Sequence, residues 1–422
     1  MKKIVFYLMF PVLLFSQSFL ISNIPLPKTY IQNIDPYGCD NRCLRKYLEE
    51  DMIFSFLAHT DSKIDDEELE DARMINIVIL NVGSNVIVKT IKLAILLPYK
   101  KIGKYASSTT NVVFSYLMTK SNSFEFKSYK IDDETFETIK TTLDDIKNDG
   151  FEYVIAPLTK DGVKNVALLN PNINIFFPTV NKKDINTTSS YLYFGGIDYK
   201  KQSDILLKQA QKTLVIFSDN SKISTELANY QTQKFLEEDN TTESNETNEF
   251  SIVEEDVLDE NVTQKRVINF KIAKRTTNLE KYLKDNEDII EASFFVDTPI
   301  VKTGMIMSQL TLFETNATNV LSTQINYDPL ILSMTQYKDR KDMLIANSIT
   351  EVNNVLSETN SILGNDIVYD WINYTTIIGV DYFFNLMTNI QREYEVEVKE
   401  NQFEYKIDIV KPSYYRFLKQ KI

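Results

Sequence analysis

The residue types that dominate nucleophilic and metal chemistry are scarce in this chain, which holds one histidine and two cysteines among its 422 residues. A single histidine, His59, excludes most catalytic triads and most histidine-ligated metal sites. The sequence contains no Gly-x-Ser-x-Gly elbow and no phosphate-binding loop. Catalysis by carboxylates alone stays open, because 59 aspartates and glutamates single out no pair. We therefore predict a protein that is not an enzyme and that holds no cofactor and no metal.

Cys39 and Cys43 are the only cysteines, and they lie four residues apart. In an oxidising compartment such a pair can close a small local loop. A zinc site would need more soft ligands than His59 and this pair provide. We predict a Cys39–Cys43 disulfide. Free thiols are the alternative, because a bond within one regular helical turn is geometrically awkward.

Polar side chains follow the apolar runs that we interpret as parallel strands, and they form two groups. Ligands of open α/β sheets bind beyond the carboxyl ends of the strands, so we expect these side chains to line a cleft. The first group contains Tyr99, Lys101, Tyr105, Thr159, Lys160, Thr179 and Asn181, and the second contains Ser218, Asp219, Asp297 and Thr298. Each could equally be a helix cap or a loop surface residue, and Asp219 and Asp297 are good N-cap candidates.

Six Asn-x-Ser/Thr sequons occur, and five of them have an acidic residue two positions before the asparagine. By composition alone, about one of six would have it. The five asparagines are Asn186, Asn240, Asn245, Asn261 and Asn316, preceded by Asp184, Glu238, Glu243, Asp259 and Glu314. The set resembles the extended acceptor pattern of bacterial N-glycosylation and implies a glycoprotein. A loop rich in Asn, Thr and Glu generates three of them by composition, but Asn186 and Asn316 lie outside it.

The first residues have the pattern of a secretory signal peptide. Met1-Lys2-Lys3 precedes an apolar run from Ile4 to Phe15, and Ser16-Gln17-Ser18 supplies small residues for cleavage after Ser18. The run is shorter than the roughly 20 residues of a membrane-spanning helix, and a permanent anchor is the alternative. We predict removal of residues 1–18 and a periplasmic protein without a membrane span. The net charge of −13 argues against nucleic acid and anionic membrane surfaces as partners.

The chain after residue 18 divides into a small helical appendage and two α/β lobes. Residues 19–90 form the appendage, with helical stretches over Arg42–Leu57 and Asp65–Leu80. From Ile91 onward, short apolar runs alternate with helical patterns, which is typical of parallel sheets covered on both faces. The fold class is therefore α/β with two Rossmann-like lobes. The first lobe is assigned residues 91–196 and 330–422, and the second is assigned residues 197–329.

The second lobe contains an acidic insertion after a predicted helix over Ser224–Glu237. Residues 238–265 are rich in Asn, Thr, Ser, Glu and Asp. Such a segment buries too little apolar area to order itself, so we predict that it is disordered. Further along, Glu393–Val410 alternates in hydrophobicity around Glu400-Asn401, which predicts a two-stranded hairpin.

Three segments resemble proteins with the type I periplasmic binding protein fold, in which two Rossmann-like lobes face each other across a cleft. They are Leu93–Tyr99, Ile155–Val163 and Asn373–Tyr382. The first two are more similar to the penicillin-binding-protein activators of the LpoA family than to amino-acid-binding transport proteins. The transport proteins hold an amino acid with small hydroxylated residues, whereas here the turn Tyr99-Lys100-Lys101 is bulky and basic and Thr159 is the one hydroxyl after the third strand.

The resemblance implies a non-enzymatic periplasmic protein that uses its two lobes as an interaction platform. Its implied role is to regulate or scaffold the peptidoglycan machinery of the cell envelope, with an envelope protein such as a peptidoglycan synthase as partner. The alternative is a solute-binding protein that delivers an amino acid or a peptide to an importer. A hydrolase is the third interpretation.

Overall fold

A computed structural model describes residues 31, 35, 37–60, 63–80, 82, 90–243 and 265–420, with the backbone alone for 238–243. The chain divides into two compact units, residues 1–89 and 90–422. The predicted signal peptide and residues 244–264 of the predicted insertion lie outside the described residues. Within the described residues, no helix combines the length and the apolar character that crossing a membrane requires.

The described part of the first unit contains three helices, α1 (Asn41–Glu49), α2 (Ile53–Ala58) and α3 (Glu67–Ile79). Their apolar side chains, including Phe56 and Leu69, form a small core of their own. The predicted single helix over Arg42–Leu57 is wrong. Asp51 adopts a left-handed backbone conformation with φ of 55°, which interrupts the helical path between α1 and α2.

The predicted disulfide between Cys39 and Cys43 is confirmed. Asp40 caps α1, since its carboxylate accepts the backbone N–H of Cys43 at 2.9 Å. Cys39 therefore precedes the helix while Cys43 lies in its first turn, and their Cα atoms are 5.3 Å apart. The bond joins a residue outside the helix to one inside it, which avoids the awkward geometry of a single regular turn.

The second unit begins with a run of strand–helix pairs that forms most of the first lobe. These elements are β1 (Ile91–Leu97), α4 (Tyr99–Ile102), α5 (Tyr105–Met118), β2 (Phe124–Lys130), α6 (Phe136–Asn148), β3 (Tyr153–Ile155), α7 (Lys160–Leu169), β4 (Asn174–Phe177) and β5 (Leu192–Phe194). In β1, Leu93 and Ile95 point into one core while Ala94 and Leu96 point into the other. Strands buried on both faces in this way require the near-continuous apolar runs seen in the sequence.

The chain then crosses into the second lobe and repeats the strand–helix pattern. The elements are α8 (Tyr199–Leu207), β6 (Thr213–Ser218), α9 (Lys222–Glu243), β7 (Arg266–Lys271), α10 (Glu280–Leu283), β8 (Ser293–Asp297), α11 (Ile300–Leu312), β9 (Asn319–Ser322), α12 (Leu330–Met334), α13 (Tyr337–Arg340) and β10 (Met343–Asn347). In β6, Val215 and Phe217 point into one core, and Leu214 and Ile216 point into the other.

The remaining elements serve both lobes. They are α14 (Asn354–Ile362), α15 (Trp371–Thr388), β11 (Glu397–Lys399), β12 (Gln402–Glu404), β13 (Asp408–Pro412) and β14 (Phe417–Lys419). The first sheet has the strand order β11-β12-β5-β4-β3-β1-β2, and the second has the order β14-β13-β10-β9-β8-β6-β7. The predicted α/β class with two lobes is confirmed, with antiparallel pairs confined to the ends of each sheet.

The assignment of residues 330–422 to the first lobe alone is wrong, because this stretch is shared between the lobes. β10 pairs in parallel with β9 and antiparallel with β13, so Met343–Asn347 and Asp408–Pro412 belong to the second sheet. Between them, α14 and α15 pack on the first lobe. The chain therefore crosses between the lobes three times, after β5, β10 and β12.

The predicted hairpin over Glu393–Val410 is present in a shorter form. β11 and β12 pair antiparallel around Glu400 and Asn401, whose φ angles of 47° and 66° fit a two-residue hairpin turn. β12 ends at Glu404 because the chain leaves for the second sheet. The predicted arm through Val410 is consequently split between the two lobes.

The helix predicted over Ser224–Glu237 is longer than expected, since α9 runs from Lys222 to Glu243. The prediction of disorder from residue 238 is therefore wrong for its first six residues, whose backbone is helical. These residues contain no proline or glycine that would end a helix.

A phenylalanine wedge fixes α15 on the first sheet. Phe176 in β4 points at Gly195 and at Gly379, the centre of α15, where an added Cβ would come within 2.3 Å and 2.2 Å of its ring. Only glycine allows this approach, so the apolar helix lies directly on the strand. The wedge positions the start of α15, which faces the second lobe.

Candidate functional site

A cavity of about 490 Å³ lies between the lobes, beyond the carboxyl ends of β3 and β4 and beside the first turns of α9. Four of the eleven predicted cleft residues line it. The first lobe contributes Thr159, Lys160, Thr179 and Asn181, and the second contributes Lys222, Ile223, Glu226 and Leu227. Asp198 and Tyr199 complete the wall where the chain first crosses. The cavity is therefore built from both lobes.

The hydrogen-bonding groups of Thr159 are used within the first lobe. Its backbone N–H donates to Glu134 Oε1 at 2.7 Å, and its hydroxyl donates to Glu134 Oε2. The buried Glu134 side chain packs against Gly162, where an added Cβ would lie 2.8 Å from the carboxyl group. Gly162 thus makes room for an internal carboxylate at the N-terminus of α7. The donors that could hold a ligand carboxylate are occupied by the protein itself.

Two of the lysines at the cavity are also paired internally. Lys160 Nζ lies 2.8 Å from Asp184 Oδ1, and Lys183 Nζ lies 2.5 Å from Asp198 Oδ2. The hydrogen bond that Lys160 Nζ donates to Asp184 raises the pKa of Lys160. Half-exposed pairs of this kind contribute about 1 kcal/mol or less to stability. Their effect on the cavity is to balance its charge, so that it presents no surplus of cations from these two side chains.

Thr179 and Asn181 hold the turn that follows β4. The Thr179 hydroxyl donates to the carbonyl oxygen of Leu158, and Asn181 Nδ2 donates to the carbonyl oxygen of Gly196 at 3.0 Å. Asn181 Oδ1 accepts the backbone N–H of Lys183 at 3.1 Å. Both side chains therefore stabilise the cavity wall.

An aromatic cluster joins the lobes on the flank next to the cavity. Its five members form two groups of ring contacts and are together called the interlobe aromatic cluster: Tyr199 with Trp371, and Tyr327 with Tyr369 and Phe417. Tyr369, just before α15, has its ring centroid 5.2 Å from that of Tyr327, which follows β9, and 6.0 Å from that of Phe417 in β14. Tyr327 also packs against the cores of both lobes. Rings from the two lobes thus fill the space between the sheet ends.

Tyr199 connects the interlobe aromatic cluster to the cavity. Its ring lies 6.1 Å from that of Trp371 in an edge-to-face arrangement, and it lines the cavity wall. Burial raises the pKa of Tyr199 well above its usual value. The Tyr199 side chain therefore forms a neutral part of the cavity wall on the side of the interlobe aromatic cluster.

Tyr105 lies beside this cluster at the start of α5. Burial raises its pKa to about 12, and the carboxylates of Asp370 and Asp328 add to the shift. Asp370 belongs to the first lobe and Asp328 to the second, so the tyrosine lies where the lobes meet. Sequence reasoning predicted Tyr105 at the cleft, and the structure places it at this junction.

Tyr99 and Lys101 lie at the outer surface of the first lobe. Tyr99 is exposed, and its hydroxyl interacts with Asp132, which raises the pKa of the tyrosine. Lys101 is exposed in α4. Neither side chain is among those that line the cavity of about 490 Å³.

The carboxyl ends of the second sheet are buried and polar. Asp297, at the end of β8, is 2% exposed, and its Oδ1 accepts from Gln231 Nε2 at 3.2 Å. Burial raises the pKa of Asp297 to about 8, and the nearby charge of Asp219 acts in the same direction. The Asp297 side chain is therefore a buried carboxyl that is mostly protonated at neutral pH rather than a helix cap.

The other three predicted residues of the second lobe have local roles. Asp219 Oδ1 accepts the backbone N–H of Ser221 at 2.8 Å, and the Thr298 hydroxyl lies 2.9 Å from that of Thr303. Ser218 is buried at the end of β6. None of these four residues of the second lobe lines the cavity, which meets this lobe through α9 instead.

Three amide and hydroxyl groups link the chain crossings beneath the cavity. Gln202 Nε2 in α8 donates to Ser348 Oγ at 2.7 Å, and the backbone N–H of Gln324 donates to Gln202 Oε1 at 2.9 Å. The backbone N–H of Ser348 donates in turn to Gln324 Oε1. All three residues are buried, so the ring of hydrogen bonds fixes the base of the second lobe against the crossing segments.

Sequence reasoning missed the residues that decide the character of this site. Glu134 is separated by 25 residues from Thr159, and nothing in the sequence pairs them. The start of α9 was predicted as a helix, but its side chains Ile223 and Glu226 were not predicted at the cavity. The segment Tyr369-Asp370-Trp371 was the signal in the sequence for the aromatic cluster, because two large rings beside a helix start indicate a packed contact.

The chemistry available at the site is binding by shape, with mixed charge at the rim. Among the described residues, no group of three or more His, Cys, Asp or Glu side chains could hold a metal ion. The side-chain hydroxyl and amide groups of Thr159, Thr179 and Asn181 are committed to internal hydrogen bonds. These three side chains therefore shape the cavity wall.

Comparison with known proteins identifies the fold. No protein-family model matches the chain, and no curated protein matches its sequence. The branched-chain amino acid substrate-binding protein LivJ from Streptococcus pneumoniae, solved with isoleucine, is similar over 79% of this chain and 100% of its own, with 11% identity and a TM-score of 0.52. A putative branched-chain amino acid transporter protein from Rhodospirillum rubrum is similar over 78% and 99%, with 7% identity and a TM-score of 0.56.

A regulator is similar to the same extent as the transport proteins. The carboxy-terminal domain of LpoA from Haemophilus influenzae, described as a regulator of PBP1A, matches 78% of this chain and 100% of its own, with 8% identity and a TM-score of 0.50. Identities this low establish the fold alone. The chain has the type I periplasmic binding protein-like fold, which binding proteins and a regulator share.

Proposed function

We propose that the protein is exported to the periplasm and works there as a non-catalytic interaction platform, with its lobes held in a fixed arrangement. Its proposed partner is a protein of the cell envelope, such as a peptidoglycan synthase, whose activity it regulates. The observation that carries this proposal is the interlobe aromatic cluster. Because its rings come from both lobes, they oppose the opening that a buried solute would need in order to enter.

The contacts of Tyr327 favour the closed arrangement of the lobes. This ring packs against the cores of both lobes and lies 4.7 Å from Phe417 and 5.2 Å from Tyr369. Tyr327 is half-buried, so its ring keeps from water only part of the roughly 150 Å² or more, about 4 kcal/mol, that a fully buried aromatic side chain removes. Separating Tyr369 from Tyr327 would re-expose part of this area. The closed arrangement is thus favoured without a ligand.

The internal carboxylate of Glu134 supports the same proposal. Backbone N–H groups and hydroxyls at a helix N-terminus can bind a ligand carboxylate. At the N-terminus of α7, both donors of Thr159 already bind Glu134. A solute with a carboxylate would have to displace a group that is covalently part of the chain, which lowers its affinity.

The partner is proposed by similarity to the LpoA domain, which is described as a regulator of PBP1A. The outer surface of the lobes is the proposed contact surface. A periplasmic location fits this partner and the predicted signal peptide, and sequencing the amino terminus of the mature protein tests it. We expect a first residue of Phe19, and an intact Met1 in native material would contradict export with cleavage.

The second candidate function is solute binding, and the cavity of about 490 Å³ favours it. This volume lies within the range of about 300–1,000 Å³ that small-molecule sites occupy. An amino acid or a short peptide is the proposed solute in this case. Ile223 and Glu226 of α9 would then contact it from the second lobe.

Thermal denaturation of the mature protein separates the two functions. A ligand that binds only the folded state raises the melting temperature in a saturable way. The probes are the twenty amino acids and a set of dipeptides, each at millimolar concentration. Flat curves for all of them support the platform, together with measured binding to the purified periplasmic domain of the source cell's own peptidoglycan synthase. A saturable rise that Glu226→Arg abolishes and Glu291→Arg, on the opposite edge of the lobe, retains would establish solute binding instead.

A further inference from the structure

Asn316 is held at the surface of the second lobe. It lies in the loop between α11 and β9, is exposed, and has a left-handed backbone with φ of 48°. Glu314, two residues earlier, is also exposed and left-handed, with φ of 50°. Thr315 between them is 3% exposed, so the side chains of Asn316 and Glu314 are at the surface of the loop while the residue between them packs on the lobe. A modifying enzyme can reach exposed side chains of a surface loop such as these.

Asn186 has a similar setting in the first lobe. It is exposed in the loop that precedes β5, beside a surface depression of about 430 Å³ that also contains Asn170 and Asn172. The hydroxyl-bearing residue of the sequon, Thr188, is exposed as well. The acidic residue two positions earlier, Asp184, is exposed and pairs with Lys160 at 2.8 Å.

The sequon without an acidic residue is in the opposite environment. Asn373 is 3% exposed in the first turn of α15, and its Nδ2 donates to the carbonyl oxygen of Asp366 at 2.9 Å. Trp371 stands where the other five sequons have an acidic side chain. Sequence pattern and exposure therefore separate Asn373 from Asn186 and Asn316 in the same direction, although neither property determines the other.

Asn186 and Asn316 lie on the same side of their sheets. Asn186 precedes β5 and Asn316 precedes β9, whereas the cavity lies beyond the carboxyl ends of β3 and β4. A group attached at Asn186 or Asn316 would leave the cavity and the interlobe aromatic cluster uncovered.

We propose that Asn186 and Asn316 are N-glycosylation sites, and that Asn373 is not. The donor is an oligosaccharide linked to a polyprenyl diphosphate, and an oligosaccharyltransferase in the compartment outside the cytoplasm binds the acidic residue of the sequon. Asparagine Nδ2 forms a bond to the anomeric carbon, the bond from that carbon to the diphosphate oxygen breaks, and polyprenyl diphosphate leaves. The amide gives up one proton to a base of the transferase.

Intact-mass and glycopeptide spectrometry of the full-length protein, expressed in its source cell, test the proposal. We expect equal mass increments above the mature polypeptide, with glycopeptides that contain Asn186 and Asn316. Native material with the mass of the bare polypeptide would overturn the proposal. A glycan on Asn373 would also overturn it, because that side chain is buried.

A matched pair of variants tests the role of the acidic residue. Glu314→Gln keeps the Asn316-Ala317-Thr318 sequon but removes the charge, and we expect occupancy of Asn316 to fall at least fivefold while Asn186 is unchanged. Glu291→Gln is the control, because Glu291 is exposed, has a left-handed φ of 57° and precedes no sequon. Equal occupancy of Asn316 in both variants would contradict recognition of the acidic residue.

Discussion

The carboxyl ends of the two sheets are built from different chemistry although the sheets have the same layout. In the first lobe, this edge carries charged groups that are paired and half-exposed, such as Lys160 with Asp184. In the second lobe, it carries buried groups with little charge, such as Asp297 with Gln231 and the ring of Gln202, Gln324 and Ser348. The comparison teaches that one lobe presents a solvated, adjustable wall, while the other presents a rigid base.

The largest expected effect is at Asp297 in the second lobe, and it tests whether this edge depends on a buried group without charge. Burial raises the pKa of Asp297 from 3.8 to about 8, so the folded state keeps a proton that the unfolded state releases. The protonated Asp297 carboxyl contributes fully to the free energy of unfolding below about pH 4, and this contribution is lost as the pH rises toward 8. We expect Asp297→Asn to be more stable than wild type by up to about 4 kcal/mol at pH 7.5, with no difference at pH 4.

Urea denaturation at both pH values measures this effect. Asp161→Asn is the control in the first lobe, because Asp161 is exposed and only distantly paired with Lys164, at 3.5 Å. We expect a change within about 0.5 kcal/mol for the control at either pH. An equal loss of stability for Asp297→Asn at both pH values would show that its hydrogen bond, and not its proton, matters.

The next effect concerns Tyr369, whose aromatic ring contacts residues of the second lobe. Tyr369→Ala removes the contacts with Tyr327 and Phe417, and we expect a loss of about 2 kcal/mol in the free energy of unfolding. Tyr415→Ala is the control, since Tyr415 is 92% exposed. We also expect the radius of gyration of the Tyr369→Ala protein, measured by small-angle X-ray scattering, to rise. An unchanged radius and stability would remove the basis for lobes held together by aromatic rings.

A smaller effect is expected at the internal carboxylate of the first lobe. Glu134→Gln keeps the shape of the side chain but replaces charge-assisted hydrogen bonds to Thr159 by neutral ones, which we expect to cost about 1–2 kcal/mol. Glu134→Ala vacates the position, and we expect 100 mM acetate to restore part of its lost melting temperature. Acetate that acts equally on wild type would contradict a specific carboxylate position.

The smallest effect is expected for the exposed pairs of the first lobe. Lys160→Met breaks the pair with Asp184, and we expect a loss below about 1 kcal/mol that disappears in 0.5 M salt. Denaturation in low and high salt measures it. A loss that is large and independent of salt would show that the first edge is as rigid as the second.

The sequence predicts the strands well where burial demands a continuous apolar run. β1, β3, β4 and β6 form at the short apolar runs around Leu93, Val154, Ile175 and Val215, because each of these strands has a core on both faces. It does not predict which sheet a late strand joins, since Met343–Asn347 is apolar in either lobe. The same limit applies to the site, because Thr159 is a visible helix cap whereas its partner Glu134 is chosen by the tertiary fold.

The second sheet is completed by β13 and β14, at residues 408–419, next to β10. Until that segment has been synthesised, β10 has an unpaired edge and the row of apolar side chains around Ile345 and Val410 is open. The second lobe therefore cannot complete its sheet from residues 197–347 alone, and its core closes only when β13 and β14 have joined β10.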